Sequence, residues 1–118
     1  MIGVTWLVVA DGGRARVFKT PGLALDLQEI EDLINSDATG SMLTEKDRAK
    51  FAKRVADFVE DGRLHQRYDR LRIVIEPKFL GMVKGNLSEE TRRLIFEQIS
   101  EDLSTLNVRQ LEARLRRE

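Results

Sequence analysis

The sequence predicts an α/β domain built on a five-stranded mixed sheet with three or four helices. A nearly unbroken apolar run over residues 4–10 is typical of a strand buried on both faces. A short turn and an alternating segment follow it, as in a β-hairpin. Two later apolar segments are separated by helical patterns, which is how parallel strands with crossover helices are arranged.

The first three strands are predicted to form an antiparallel meander. The turn Asp11-Gly12-Gly13 favours a hairpin into a second strand, Arg14–Lys19, in which Ala15 and Val17 share one face. Arg14, Arg16 and Phe18 share the other face. After a Pro-Gly turn, residues 24–32 are predicted to be an edge strand whose acidic side chains face water.

The middle of the chain predicts a long helix and then a short strand. Thr44 and Asp47 resemble a capping box, and the apolar spacing that follows predicts an amphipathic helix of about 18 residues. Gly62 is expected to end it. Leu71–Ile75 is a short apolar run suited to a central parallel strand.

The last third predicts short helices around a final strand. Pro77 suits the first turn of a helix, and Ser88 suits the cap of another. Residues 94–100 fit neither period cleanly, and we predict a strand because a crossover needs a parallel partner. Asn107 is expected to cap the last helix. Residues 1–118 therefore make one domain, an antiparallel trio extended by parallel strands, which is the RNase H-like arrangement.

Composition excludes several classes of function. Cysteine is absent from the 118 residues, which excludes disulfides, zinc fingers, iron–sulfur clusters and thiol catalysis. The 20 basic and 20 acidic residues give zero net charge, which argues against a protein held to polyanions by bulk charge. No apolar segment approaches a membrane span and no signal peptide is evident, so we expect a cytoplasmic protein without a membrane partner. No cofactor motif occurs.

The charge is nevertheless unevenly distributed. Residues 21–47 carry seven acids against one lysine, whereas residues 63–93 carry eight bases against four acids. The second block predicts a basic face that contacts RNA phosphates, with one aromatic ring to stack on a base. The alternative is an ordinary solvated face. The candidate binding residues are Arg63, Arg67, Tyr68, Arg70, Arg72, Lys78, Lys84, Arg92 and Arg93.

Two carboxylates are weaker candidates for a metal site. Asp11 ends the first strand and Glu76 ends the fourth, and parallel neighbouring strands would bring them to one end of the sheet. With Glu101 or Asp102 as a third acid, the set would suit an Mg²⁺-dependent nuclease. We favour the interpretation that Asp11 caps the hairpin turn and Glu76 pairs with a base such as Lys78. The sequence contains one histidine, His65, which suits a helix C-terminus rather than a catalytic triad.

Six segments of the chain form a distinctive combined pattern: Trp6–Phe18, Phe51–Ala56, Tyr68–Leu71, Glu76–Gly81, Ile99–Leu106 and Leu111–Leu115. Through this pattern the chain resembles the bacterial family of host-attachment proteins over nearly its whole length. Two features depart from the family pattern. The segment between Ile34 and Thr44 is shorter than the usual loop, and Glu76 stands where a small residue or a proline is common.

That family in turn looks like a distant relative of the middle domain of archaeal and eukaryotic peptide-release factors. The kinship implies contact with RNA or the ribosome. It does not imply peptidyl-tRNA hydrolysis, because the Gly-Gly-Gln tripeptide is absent and Gly12-Gly13-Arg14 has no glutamine. We therefore expect a non-enzymatic binding domain. The alternative partner is another protein or a second copy, docked on residues 24–32 or on the Arg-rich last helix.

Overall fold

The described residues, 3–36 and 43–116, form five strands and four helices in this computed structural model. The strands are β1 (Val4–Asp11), β2 (Arg14–Pro21), β3 (Gln28–Ile34), β4 (Arg70–Ile75) and β5 (Ile95–Ile99). The helices are α1 (Glu45–Leu64), α2 (Pro77–Gly85), α3 (Glu89–Arg93) and α4 (Val108–Arg116). Most of the short segment between Ile34 and Thr44, residues 37–42, lies outside the described residues.

The five strands form one mixed sheet in the order β3-β2-β1-β4-β5. Strands β1, β2 and β3 pair antiparallel, whereas β4 lies parallel to β1 and β5 lies parallel to β4. The prediction of an antiparallel trio extended by two parallel strands is confirmed, including the strand chosen for the ambiguous segment at 94–100. The kinship with RNase H-like proteins stays a prediction.

The third strand begins later than the sequence predicted. The expected edge strand covered residues 24–32, whereas β3 spans Gln28–Ile34. The backbone of the residue just before β3 contacts α4 instead of β2: the amide of Leu27 donates to Glu112 Oε2 at 3.0 Å. That backbone group is thereby satisfied outside the sheet, and pairing with β2 starts only after it.

Apolar side chains fill both faces of the sheet, as the unbroken apolar run of β1 predicted. Helices α1 and α2 cover one face. Its buried cluster consists of Trp6, Val8, Ala10, Ala15, Val17, Phe51, Ala52, Val55, Ala56, Val59, Tyr68, Leu71, Ile73, Ile75, Phe79, Leu80, Val83 and Leu87. Helix α4 packs on the other face, where the smaller cluster consists of Leu7, Val9, Phe18, Leu27, Val74, Ile99, Leu111 and Leu115.

Trp6 of β1 packs closely against α1. Its ring centroid lies 5.4 Å from that of Phe58 and 4.7 Å from that of Tyr68. A Cβ atom at Gly62 would lie 2.5 Å from Trp6 Cη2, so the glycine leaves the space that the indole fills. The prediction that Gly62 ends the helix is wrong, because α1 continues to Leu64. The glycine serves packing rather than termination.

The predicted helix starts are confirmed. The hydroxyl of Thr44 accepts from the amide of Asp47 at 3.0 Å, and the carboxylate of Asp47 accepts from the amide of Thr44 at 3.2 Å. Pro77 occupies the first turn of α2, and Ser88 caps α3. Asn107 precedes α4 and accepts from an amide in its first turn at 2.9 Å. Each cap satisfies amides that a helix leaves unpaired at its start.

Arg16 of β2 carries a charge beneath the segment that leads into α4. Only 7% of its side chain is exposed. The guanidinium carbon lies 5.0 Å from the centroid of Phe18, on the face that the alternation predicted. Its Nη1 donates to the carbonyl of Leu106, and its Nη2 donates to Glu29 Oε1 at 3.2 Å. One buried cation therefore joins β2, β3 and the C-terminal layer.

Replacing Gly62 with alanine is expected to destabilise the protein. The new methyl group would overlap Trp6, and overpacking of this kind costs about 1–3 kcal/mol. Urea unfolding measures the change. Gly81→Ala is the matched control, because a Cβ at this position in α2 meets nothing within 4 Å and alanine favours helices. An unfolding midpoint of Gly62→Ala at or above that of the parent chain would show that the methyl group fits beside Trp6 without overpacking.

The protein is expected to keep Tyr68 protonated at high pH for as long as it stays folded. Burial, reinforced by nearby Glu60, raises the pKa of Tyr68 well above its ordinary value of 10.0. Because the unfolded chain releases this proton first, the stability due to Tyr68 is complete below about pH 10 and declines above it. Ultraviolet absorbance reports on this residue alone, since it is the sole tyrosine.

The phenolate absorbance should therefore rise together with the loss of circular dichroism. Tyr68→Phe should remove the absorbance change and lower stability by about 1 kcal/mol, since the hydroxyl donates to the carbonyl of Val59. Phenolate formation near pH 10 in a protein that keeps its native circular dichroism would contradict the assignment.

Candidate functional site

The nine candidate binding residues do not form one continuous face. Several are paired with carboxylates in the structure. Arg63 lies 3.5 Å from Glu60 and donates to Thr91 Oγ1 at 2.9 Å. Arg93 lies 3.1 Å from Glu89 on the exposed side of α3. These arginines are largely neutralised where they stand, so they contribute little net positive charge to a binding surface.

Tyr68 lies in the core rather than on the surface. It is 4% exposed, its ring packs against Trp6, and its hydroxyl donates to the carbonyl of Val59 at 2.9 Å. The ring has no free face for a nucleotide base. The stacking role predicted for Tyr68 is therefore excluded by its burial.

A groove follows the outer edge of β5 and contains two members of the candidate set, Lys84 and Arg92. We call it the β5 groove. It has a volume of about 430 Å³ and is lined by Lys84, Arg92, Ile95, Phe96, Glu97 and Gln98. Helix α2 supplies the lysine, α3 supplies the arginine, and the edge strand supplies the rest. The consecutive helices α2 and α3 thus bring both bases to the edge of β5.

The two cations of the β5 groove are held by uncharged groups. Lys84 Nζ donates to Gln98 Oε1 at 2.8 Å. Arg92 donates from Nε and Nη2 to the main-chain carbonyl of Lys84, at 3.0 and 2.7 Å. Within residues 3–36 and 43–116, no carboxylate lies within ion-pair distance of either cation. Both charges are therefore positioned without being neutralised.

Phe96 is the exposed aromatic residue of this groove, with 45% of its surface accessible. Arg72 lies over the ring, with its guanidinium carbon 5.0 Å from the centroid, and pairs with Glu97 at 2.8 Å. Phe96 is not among the binding residues predicted from the sequence. The available signals were its position three residues after the predicted base Arg93 and its place in a predicted strand.

The other candidate bases lie away from the β5 groove. Arg67 lies beside Trp6, Lys19 and Ile30. Arg70 is half-buried at the start of β4. Lys78 lines a separate cleft at the carboxyl ends of β1 and β4. The basic block of residues 63–93 is therefore divided among at least three parts of the surface.

That separate cleft also contains the two carboxylates predicted to meet. It has a volume of about 370 Å³, and Asp11, Glu76 and Asp102 line it together with Arg48 and Lys78. The order of the strands reverses between β1 and β4, and clefts at such points are common ligand sites in α/β proteins. The convergence of Asp11 and Glu76 therefore follows from the parallel pairing of their strands.

The carboxylate oxygens of this cleft accept local hydrogen bonds, most of them from backbone amides, and Asp11 Oδ2 accepts from the hydroxyl of Ser104 at 2.8 Å. Asp11 Oδ1 accepts from the amides of Gly13 and Arg14 at 2.8 and 2.9 Å, which closes the hairpin turn. Glu76 accepts from the amides of Lys78 and Phe79 at 2.9 and 3.0 Å, which caps α2. Glu76 thus contacts the main chain of Lys78, where an ion pair with its side chain was expected.

These hydrogen bonds occupy oxygen atoms that a metal ion would need as ligands. Within the described part of the chain, no group of three or more histidine, aspartate and glutamate side chains is arranged to hold one. Of the two residues offered as a third acid, Asp102 lines the cleft and Glu101 contacts Arg114. His65 follows α1, where its Nδ1 lies 2.9 Å from the carbonyl of Asp61.

No helix among the described residues has the length and apolar character needed to cross a membrane.

Comparison with solved structures shows a shared fold. The Aquifex aeolicus PPX-GPPA enzyme aligns with a TM-score of 0.50 and 17% identity, over 85% of this chain and 36% of that one. The type II variant of the Aquifex aeolicus Ppx/GppA phosphatase aligns with a TM-score of 0.45 and 17% identity, over 82% and 35% of the two chains. The chain thus spans about a third of the length of these structures.

Comparison at the level of sequence gives the family. No curated protein matches the chain. A family model described as "Protein required for attachment to host cells" matches residues 39–115, which is more than half of the chain. The matched region runs from before α1 to α4 and includes the whole β5 groove. The chain therefore belongs to the family of proteins required for attachment to host cells.

Proposed function

We propose that this chain is a non-enzymatic binding domain and that it binds RNA through the β5 groove. The observation that carries the proposal is the pair of cations, Lys84 and Arg92, held in one groove by uncharged partners. A phosphate that approaches them does not have to displace a carboxylate. Arginine also matches phosphate geometry well, because its fork can donate two parallel hydrogen bonds.

The acidic cleft supports a binding role over a catalytic one. Asp11 and Glu76 already accept hydrogen bonds from four backbone amides. A nuclease that works with metal ions needs carboxylates whose oxygens are free to coordinate them. Because their oxygens accept from backbone amides, we favour a structural role for both residues.

The kinship with the middle domain of peptide-release factors belongs to the same proposal. It favours RNA of the translation machinery as the ligand and the cytoplasm as the place of action. The chain lacks the Gly-Gly-Gln tripeptide, so we propose contact without peptidyl-tRNA hydrolysis. The name of the family describes a phenotype, and an RNA-binding domain would act on attachment indirectly.

The double variant Lys84→Gln/Arg92→Gln is expected to bind RNA at least about tenfold more weakly. Loss of two phosphate contacts should also reduce the salt dependence of binding, by about 1.4 in the slope of log K against log salt for a single strand. Fluorescence anisotropy with a labelled RNA hairpin that carries an unpaired loop, from about 50 mM salt upward, measures both quantities.

Lys46→Gln/Lys50→Gln is the matched control, because both lysines are exposed on α1 and the net charge changes equally. It should leave the affinity and the salt slope nearly unchanged. Equal weakening by the two double variants would mean that only overall charge matters. No binding by the parent chain at about 50 mM salt, where electrostatic binding is strongest, would overturn the proposal.

A further inference from the structure

Phe96 is exposed on the edge strand β5 and lies at an irregularity in the sheet. Leu71 of β4 pairs with Ile95, but the next residue, Arg72, pairs with Glu97. Phe96 therefore has no partner in the β4–β5 ladder. An extra residue of this kind interrupts the ladder and re-aims its side chain, and such irregularities are frequent at sheet edges and beside functional sites.

The ring is also fixed in place. Arg72 lies over it at 5.0 Å, and Arg72 itself is held at 2.8 Å from Glu97 with only 11% of its side chain exposed. A ring supported in this way loses little freedom when a flat ligand packs on it. It lines the same groove as Lys84 and Arg92, so a π-surface and two positive charges stand side by side.

We propose that the β5 groove takes unpaired RNA and that Phe96 stacks on one of its bases while Lys84 and Arg92 contact the neighbouring phosphates. This inference rests on the proposed function and names its ligand more narrowly. An unpaired nucleotide presents a free base face next to its phosphate, whereas a duplex hides its base faces. The groove volume of about 430 Å³ lies in the range of ligand sites, about 300–1,000 Å³.

A second copy of the chain fits this edge less well. A symmetric contact places the same patch of both subunits face to face. Both subunits would then bring Lys84 and Arg92 to the contact, and like charges gathered at a sheet edge disfavour pairing. The phosphate backbone of RNA is complementary to the same two charges.

Phe96→Ala tests the proposal with an unpaired RNA oligonucleotide that contains 2-aminopurine, whose fluorescence reports stacking. The parent chain should change the emission on binding, and Phe96→Ala should bind on the order of ten- to a hundredfold more weakly. Phe96→Leu keeps an apolar side chain without a π-face and should also lose the signal. Phe96→Trp should restore both. Circular dichroism checks that each variant is folded.

A duplex of the same sequence is expected to bind more weakly, and Phe96→Ala should not change that affinity. If unpaired RNA binds and Lys84→Gln/Arg92→Gln weakens it while Phe96→Ala and Phe96→Leu do not, the stacking proposal fails and the RNA proposal stands. If the parent chain binds no RNA, both fail. A homodimer detected by light scattering that Phe96→Ala dissociates would assign the ring to a second copy and overturn the stacking proposal.

Discussion

The central strand β1 is the element on which the rest of the structure depends. It pairs on one side with β2 and on the other with β4, and its side chains are buried on both faces. Trp6 points to the layer of α1 and α2, and Leu7 points to the layer of α4. Both layers are therefore positioned against one strand, and the close contact of Trp6 with Gly62 sets how α1 lies on it.

The same strand also fixes where the two surface sites form. Its carboxyl end, at Asp11, opens the cleft beside β4. The parallel pairing of β4 and then β5 places the β5 groove at the far edge of the sheet, two strands away from β1. The basic residues of the block 63–93 are therefore distributed over separate parts of the surface. Some pair with carboxylates, whereas Lys84 and Arg92 in the β5 groove do not.

Much of the fold could be predicted because it follows from local patterns. The apolar run of β1, the Asp-Gly-Gly turn and the caps at Thr44, Ser88 and Asn107 each act over a few residues. The site was harder to predict because it depends on distant contacts. Whether an aromatic ring can bind a ligand depends on what covers it. Residues of α1 and β1 cover Tyr68, whereas Phe96 is exposed on the edge strand β5. Gly62 was misread for the same reason, since its neighbour Trp6 is far away in sequence.

The buried charge of Arg16 has a consequence for how the C-terminal layer moves. Its guanidinium binds the carbonyl of Leu106, and among the described residues its Nε has no hydrogen-bond partner. If the segment before α4 lifts, this cation loses its main-chain acceptor and must take water instead. Water must then enter beneath the sheet beside Phe18. Opening of this layer therefore requires hydration of a buried cation, and we expect this cost to slow the exchange of the amide hydrogens of α4.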